Sequence, residues 1–282
     1  MNYRHAFHAG NHGDVLKHIV LTRILAALAR KEKPYRVIDA YAGAGIYDLS
    51  GVEAGKTGEW QGGIGKLGEP FPSEIETLLA PYRATIAALN PDRALRLYPG
   101  SPEIALGMMR AGDRLIANEL HPEDGERLAR HFAREPRVKV MRLDAEICVK
   151  ASLPPPERRG LILIDPPYEQ KDEAAKALRM LAEGLTRFAT GIFMLWYPLK
   201  GRGEDAAVPD GIRALGCRGA LMAELRVREA FKEGGLAGSG VVVVNAPWKL
   251  DEELETLLPP LARRLGLGNW GEGRVEWLTP LA

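Results

Sequence analysis

Apolar residues recur at helical spacing from Asp14 to about Lys33. Val15, Leu16, Ile19, Val20, Ile24, Leu25 and Leu28 carry the period, with Asn11 to Gly13 as the natural start. A short apolar strand is expected over Tyr35 to Ala40, ending in Ala42-Gly43-Ala44-Gly45. The next stretch differs in kind. Gly51 to Pro72 holds seven glycines, and Ser73 then opens a helix pattern with Glu76 three residues on, the spacing of a capping box. Residues 51 to about 97 are therefore expected to be an insertion between the first strand and its helix. The core pattern resumes at Ser101-Pro102, where serine can cap a helix and proline suits its first position. Strand runs follow at 114–118, 137–143, 161–164, 191–197, 220–227 and 240–245, with helices over 122–134, 172–188, about 207–216 and 250–265. The strand runs are continuously apolar, as strands of a buried parallel sheet are. Their alternation with helices predicts a doubly wound α/β sheet, and no internal repeat stands out.

Composition narrows the classes without choosing among them. At 282 residues the chain fits one large domain, or a core domain with an insertion. Hydrophobic residues make up 46% and charged residues 27%, which excludes disorder, coiled coil and fibrous repeats. Lys plus Arg (38) nearly balances Asp plus Glu (37), so a nucleic-acid partner must be met by a local patch. Residues 1–36 offer one: Arg4, Lys17, Arg23, Arg30, Lys31, Lys33 and Arg36 face only Asp14 and Glu32. The competing reading is a solvated helix end, with Arg30, Lys31 and Lys33 favouring the dipole. Cys148 and Cys217 cannot form a framework and read as reduced thiols. The polar first residues and the lack of a long apolar run predict a soluble, cytoplasmic protein.

Candidate chemistry gathers at the strand ends. Glycines after the first strand let backbone approach a ligand, although the spacing departs from GxGxxG and weakens a nicotinamide or flavin reading. The second strand ends at Asn118-Glu119, where a carboxylate can accept from a ribose diol, and the third at Asp144-Ala145, where one can receive an adenine amino group. The fourth, Leu161 to Ile164, runs straight into Asp165-Pro166-Pro167-Tyr168. Neither proline has an N–H, so the backbone is fixed and leaves the Asp165 carboxylate and the Pro166 carbonyl as rigid acceptors. Two such acceptors can hold both N–H groups of an adenine amine and free its lone pair for attack. Tyr168 offers a face on which an extruded base can stack. A Pro-Pro turn with an aromatic filler is the plain alternative.

Asp165-Pro166-Pro167-Tyr168 resembles the tetrad of amino-group methyltransferases that use S-adenosylmethionine. The whole chain is similar to the bacterial 23S rRNA (adenine(2030)-N6)-methyltransferase family. The resemblance rests on Tyr3-Arg4-His5 through His18, Ala42-Gly43-Ala44-Gly45, Tyr98 to Pro102, Glu119 to Pro122, Arg159 to Glu169, Arg187 to Ile192, Leu195 to Pro198 and Pro247 to Leu250. The tetrad is shared by DNA, RNA and protein methylases, whereas the N-terminal block is far more specific. The resemblance implies a Rossmann-like class I methyltransferase fold with a small helical subdomain inserted at 51–97, residues 1–50 and 98–282 forming the main domain and 1–34 a lid. It implies cofactor contacts at His18, Tyr41, Gly43, Ser101, Glu119, Asp144, Ala145 and Asp165. The catalytic group would be Asp165 with Pro166 and Tyr168, and RNA would be met by Tyr3, Arg4 and His5. A monomer acting on free or early-assembling 23S rRNA is expected. One departure stands out: Tyr41 occupies the position of a family histidine.

Alternatives remain open: a DNA adenine or protein glutamine methylase, a non-catalytic RNA-binding protein on the same scaffold, or a nicotinamide oxidoreductase. Four histidines, His5, His8, His12 and His18, suggest a metal, but no Cys lies nearby, only Asp14 could add a carboxylate, and HExxH is absent. The expectation is no metal. Arg226 to Gly240 reads as a mobile loop or a long hairpin connection. Trp196, Tyr197 and Trp248 are expected to pack the core edge.

Overall fold

The computed structural model describes residues 4–201, 204–229, 235–268 and 270–281. After a 3-10 turn at His5–Phe7, helix α1 spans His12–Ala29. Asn11 caps it by accepting from the Asp14 N–H. The helix ends short of Lys33, where Pro34 disfavours helical geometry in the residue before it. Of its 18 residues, 14 are buried, including Asp14, Lys17, His18, Thr22 and Arg23. Such a helix belongs to the interior.

Strand β1 (Arg36–Asp39) leads to a short β2 (Ile46–Asp48), which pairs antiparallel with β3 (Leu97–Pro99). Between them come α2 (Val52–Thr57), α3 (Glu59–Gly62), a 3-10 turn and α4 (Ser73–Leu89). The capping box does not form as expected. Pro72 is the N-cap, without a side-chain bond, and Glu76 accepts instead from the Phe71 N–H and Arg83. Then follow α5 (Ser101–Met108), β4 (Arg114–Asn118), α6 (Pro122–His131), β5 (Val138–Met141), α7 (Ala145–Ser152), β6 (Gly160–Ile164) and α8 (Glu173–Arg187). The chain closes with β7 (Ile192–Leu199), α9 (Ala207–Leu215), β8 (Ala220–Arg226), β9 (Gly238–Val244), α10 (Leu250–Leu265) and β10 (Glu272–Trp277). Ser101 does not cap α5; Gly100 does, which frees the serine hydroxyl for another partner.

The main sheet has the order β10-β8-β9-β7-β6-β1-β4-β5. The five strands β5, β4, β1, β6 and β7 are mutually parallel. The remaining three join antiparallel. This is the doubly wound, Rossmann-like α/β fold, with its winding reversed between β1 and β6. Alternate strand residues feed two cores: Val37, Leu161 and Val241 face α1, α4, α5 and α10, while Ile38, Ile162 and Val242 face α7, α8 and α9. Two sequence expectations are corrected here. Apolar β8 and β9 are antiparallel, because burial on both faces, not strand direction, makes a run apolar. Strand β10 escaped notice because its residues alternate along a half-exposed edge.

Gly184 shows how tightly the second core is filled: a Cβ there would lie 2.4 Å from Phe193 Cε1. Alanine gains about 1 kcal/mol of helix propensity, whereas overpacking costs about 1–3 kcal/mol. Gly184→Ala is therefore expected to lower stability by a net of up to about 2 kcal/mol, read by chemical denaturation.

Candidate active site

Three parallel strands end side by side in polar residues. Asp39 closes β1 and is fully enclosed; its carboxylate accepts from the Ser101 hydroxyl (2.6 Å) and from the Tyr41 N–H (3.3 Å). Burial, reinforced by the charge of Asp165, pushes its carboxyl up to about 7 against the Ser101 bond. Past β4, Glu119 accepts from the N–H groups of Gly43 (2.9 Å) and His121 (2.7 Å), while burial raises its carboxyl. Gly43 has φ +61°, and a Cβ there would sit 2.1 Å from the Tyr47 hydroxyl, so only glycine can present its amide this way.

Asp165 follows β6. Its Oδ2 lies 2.5 Å from Lys17 Nζ, which also meets Asp14 Oδ1 at 2.8 Å. Asp14 is one helical turn before Lys17 on α1 and accepts further from the Gly10 N–H (2.8 Å) and pairs with His5 Nε2 (2.8 Å). Burial opposes both charges, but the partners prevail. Lys17 is held well above the ordinary lysine range by Asp14 and Asp165, and Asp14 well below the carboxylate range by His5, Lys17 and His18. An enclosed acid–base–acid row thus ties the first helix to the fourth parallel strand. Tyr168, at φ +52°, donates to the Trp196 carbonyl (2.9 Å) and meets that indole edge-on at 5.8 Å.

Most of these groups line one cavity of about 350 Å³, with Asp39 enclosed behind Ser101. His18, Tyr41, Gly43, Ser101, Glu119, Asp165, Pro166 and Tyr168 all reach it, as does His5. His18 leaves its Nε2 buried without a partner, while Nδ1 pairs with the Tyr98 hydroxyl at 2.8 Å. Tyr98 in turn meets the Tyr82 hydroxyl at 2.9 Å.

Residues 32–279 match a family model described as "Ribosomal RNA large subunit methyltransferase D, RlmJ". Ribosomal RNA large subunit methyltransferase J of Haemophilus influenzae is 43% identical over 99% of both chains, and that of Escherichia coli 41% over the same share. The crystal structure of protein LPL1258 from Legionella pneumophila superposes with a TM-score of 0.86 at 32% identity, covering 96% of this chain and 98% of that one. The chain belongs to the RlmJ family of ribosomal RNA large subunit methyltransferases.

Within this family member, not every expected residue converges on the cavity. Asp144 is exposed and caps α7 through the Glu146 and Ile147 N–H groups, near enough to Tyr41 for its charge to act on that hydroxyl. Ala145 is the buried first residue of α7. Arg4 pairs with Glu53, Glu123 and Asp124, so its charge is already committed. Tyr3 lies outside the described residues, as does the centre of the 226–240 loop. His5 pairs with Asp14 and His8 with Glu59, while His12 and His18 sit within α1. Trp196 packs against the core edge as expected and also lines the cavity, and Tyr197 is buried as expected, whereas Trp248 is 75% exposed, against the expectation that it packs the core. Asp14 and Lys17 were missed. Their i, i+3 spacing is visible in the sequence, but a charged pair on a helix ordinarily faces solvent.

Burial, partly offset by Asp14, lowers the His18 imidazole to about 3. The folded state therefore holds fewer protons than the unfolded chain between about pH 3 and 6.5, and this contribution to stability is lost as pH falls through that window. Relative to His18→Gln, the wild type should lose an extra ~2 kcal/mol between pH 7 and 5, compared by chemical denaturation at both pH values.

Proposed function

We propose that this protein transfers the methyl group of S-adenosylmethionine to N6 of an adenosine in 23S ribosomal RNA, in the cytoplasm and as a monomer. The observation that carries this reading is the Asp165 carboxylate: Lys17 holds one oxygen, which leaves the other as a fixed acceptor in the cavity.

The cavity fits the cofactor chemically. The buried, unpartnered His18 Nε2 offers a polar contact, Glu119 can accept from a ribose, and the side-chain-free amide edge at Gly43 admits close backbone approach. Tyr41, Ser101, Asp144 and Ala145 complete the proposed contacts. When bound, S-adenosylmethionine supplies an electrophilic methyl group. Asp165 and the Pro166 carbonyl hold the flipped amine by its two N–H groups and orient its lone pair in line. A neutral aryl amine is far too weak an acid to be deprotonated first, so Asp165 assists proton loss only after methylation. Tyr168 is placed to stack on the base, and its hydroxyl bond to Trp196 fixes the ring. Positioning of this kind can supply up to about 7–11 kcal/mol of the barrier.

Residues 51–97 are assigned as an inserted subdomain that steadies the segment before α1. Glu59 receives His8 and Asn11, and the Ile64 N–H donates to the Gly10 carbonyl. With Tyr3 and His5, that segment would meet the RNA.

The test is transfer of labelled methyl into protein-free, unmodified 23S rRNA, with genomic DNA in parallel. N6-methyladenosine should appear in RNA alone and disappear in Asp165→Ala, whose affinity for S-adenosylmethionine should change by less than about tenfold, the cost of one neutral-strength hydrogen bond. Label in DNA, or in neither despite cofactor binding, would contradict the substrate.

A further inference from the structure

Parallel strands β1, β4 and β6 begin in register, Arg36 beside Arg114 and Gly160. The loops that precede them, 30–35, 110–113 and 157–159, therefore emerge together at the amino edge of the sheet, opposite the cavity. They bring seven cations to that edge, counting Arg114 at the start of β4: Arg30, Lys31 and Lys33 on one side, Arg110, Arg114, Arg158 and Arg159 on the other. Three carboxylates accompany them. Asp113 is buried against Arg110, Glu157 is paired with Arg36, and only Glu32 is exposed in the first loop.

Apart from Arg110 with Asp113 and Arg30 with Glu253, the positive charge of these seven residues is not spent on ion pairs among the described residues. Arg110 donates to the carbonyls of Lys31 and Lys33, Arg159 to those of Lys33 and Leu28, and Arg114 to those of Ala111 and Asp113. Two guanidiniums lie over the Tyr35 ring, Arg110 at 5.6 Å and Arg159 at 5.9 Å. A carbonyl organises a guanidinium without neutralising it, so like charges are held close and left facing solvent. Burial and the charge of Arg110 lower the Arg159 guanidinium, as such crowding requires.

An aromatic group joins this edge. Strand β9 runs antiparallel to β7 and ends at Val244, beside Phe193 near the start of β7. Beyond it, Trp248 is 75% exposed, next to Lys249. The Lys249 carbonyl receives the Glu253 N–H, and the Glu253 carboxylate binds Arg30. The solvent-facing indole thus adjoins Lys249, which is one helical turn from the Glu253 that binds Arg30.

We infer that this edge is a second RNA-docking surface, where Lys31, Lys33 and Arg158 meet backbone phosphates and Trp248 stacks on an unpaired base. Uncompensated cations beside an exposed aromatic ring match the chemistry of single-stranded or looped RNA. The surface rests on the proposed rRNA substrate and extends it. The parallel strands of four to eight residues place the edge more than about 13 Å from the cavity. A target adenosine and this edge therefore engage different parts of one long RNA.

The experiment measures equilibrium binding of wild type, Lys31→Glu/Lys33→Glu and Trp248→Ala to two RNAs over a range of salt. One RNA is a large 23S rRNA fragment, and the other is the shortest fragment still bound in the cavity. On the large fragment the double variant should bind at least tenfold more weakly, and its slope of log affinity against log salt should fall by about two. Trp248→Ala should bind the same RNA about tenfold more weakly with the slope unchanged. Binding to the short fragment, cofactor affinity and the melting temperature should stay at wild-type values. Unchanged affinity and slope on the large fragment would overturn the inference and leave the face to a protein partner. Equal weakening on the short fragment would overturn it too, since RNA too short to reach a distant surface cannot sense it. Because binding is read without turnover, a wild type that fails to methylate RNA would sink the assigned reaction while these isotherms still decide the surface.

Discussion

Burying an ammonium ion costs several kcal/mol unless its charge is met, and Lys17 is buried between Asp14 and Asp165. Each of the three groups justifies the others. Asp14 ties down the backbone before α1 through Gly10 and His5, Lys17 spans from that helix to the sheet, and Asp165 receives it at the end of β6. The row fixes the orientation of one carboxylate in the wall of the cavity. It also makes α1 part of the site's foundation, which explains why a helix with so many polar residues is buried almost throughout.

Around this row the fold divides its labour by strand direction. The carboxyl edge of the parallel strands gathers acceptors and, at Gly43, a stretch of backbone with no side chain in the way, the features the proposed cofactor and base would need. The amino edge gathers lysines and arginines, with Arg110, Arg114 and Arg159 organised by backbone carbonyls. The helices between β2 and β3 add Glu59 to the cavity wall and grip the segment before α1 through Glu59, Thr57 and Ile64.

Much of this was legible in the chain itself. Continuous apolar runs located the central strands, and polar residues directly after them located the cavity, because a parallel sheet exposes its chemistry at strand ends. Strand direction was not legible for β8 and β9, since buried strands look alike in either sense. Strand β10 was hidden by its edge position and alternating polarity. Lys17 could not be assigned from sequence because its partner Asp165 lies 148 residues away, and an i, i+3 Asp-Lys pair usually marks a solvated face. Trp248 was misjudged for a related reason: the turn at Pro247 to Lys249 carries the ring outward, and no periodicity reports that.

The central claim is that Lys17 positions Asp165 for methyl transfer. The most direct measurement is the turnover of Lys17→Met on 23S rRNA at saturating S-adenosylmethionine, with protein that still melts cooperatively. Misplacement of the acceptor by about an ångström predicts a loss of about 100-fold in kcat with cofactor affinity nearly unchanged. Wild-type kcat in the folded variant would contradict it.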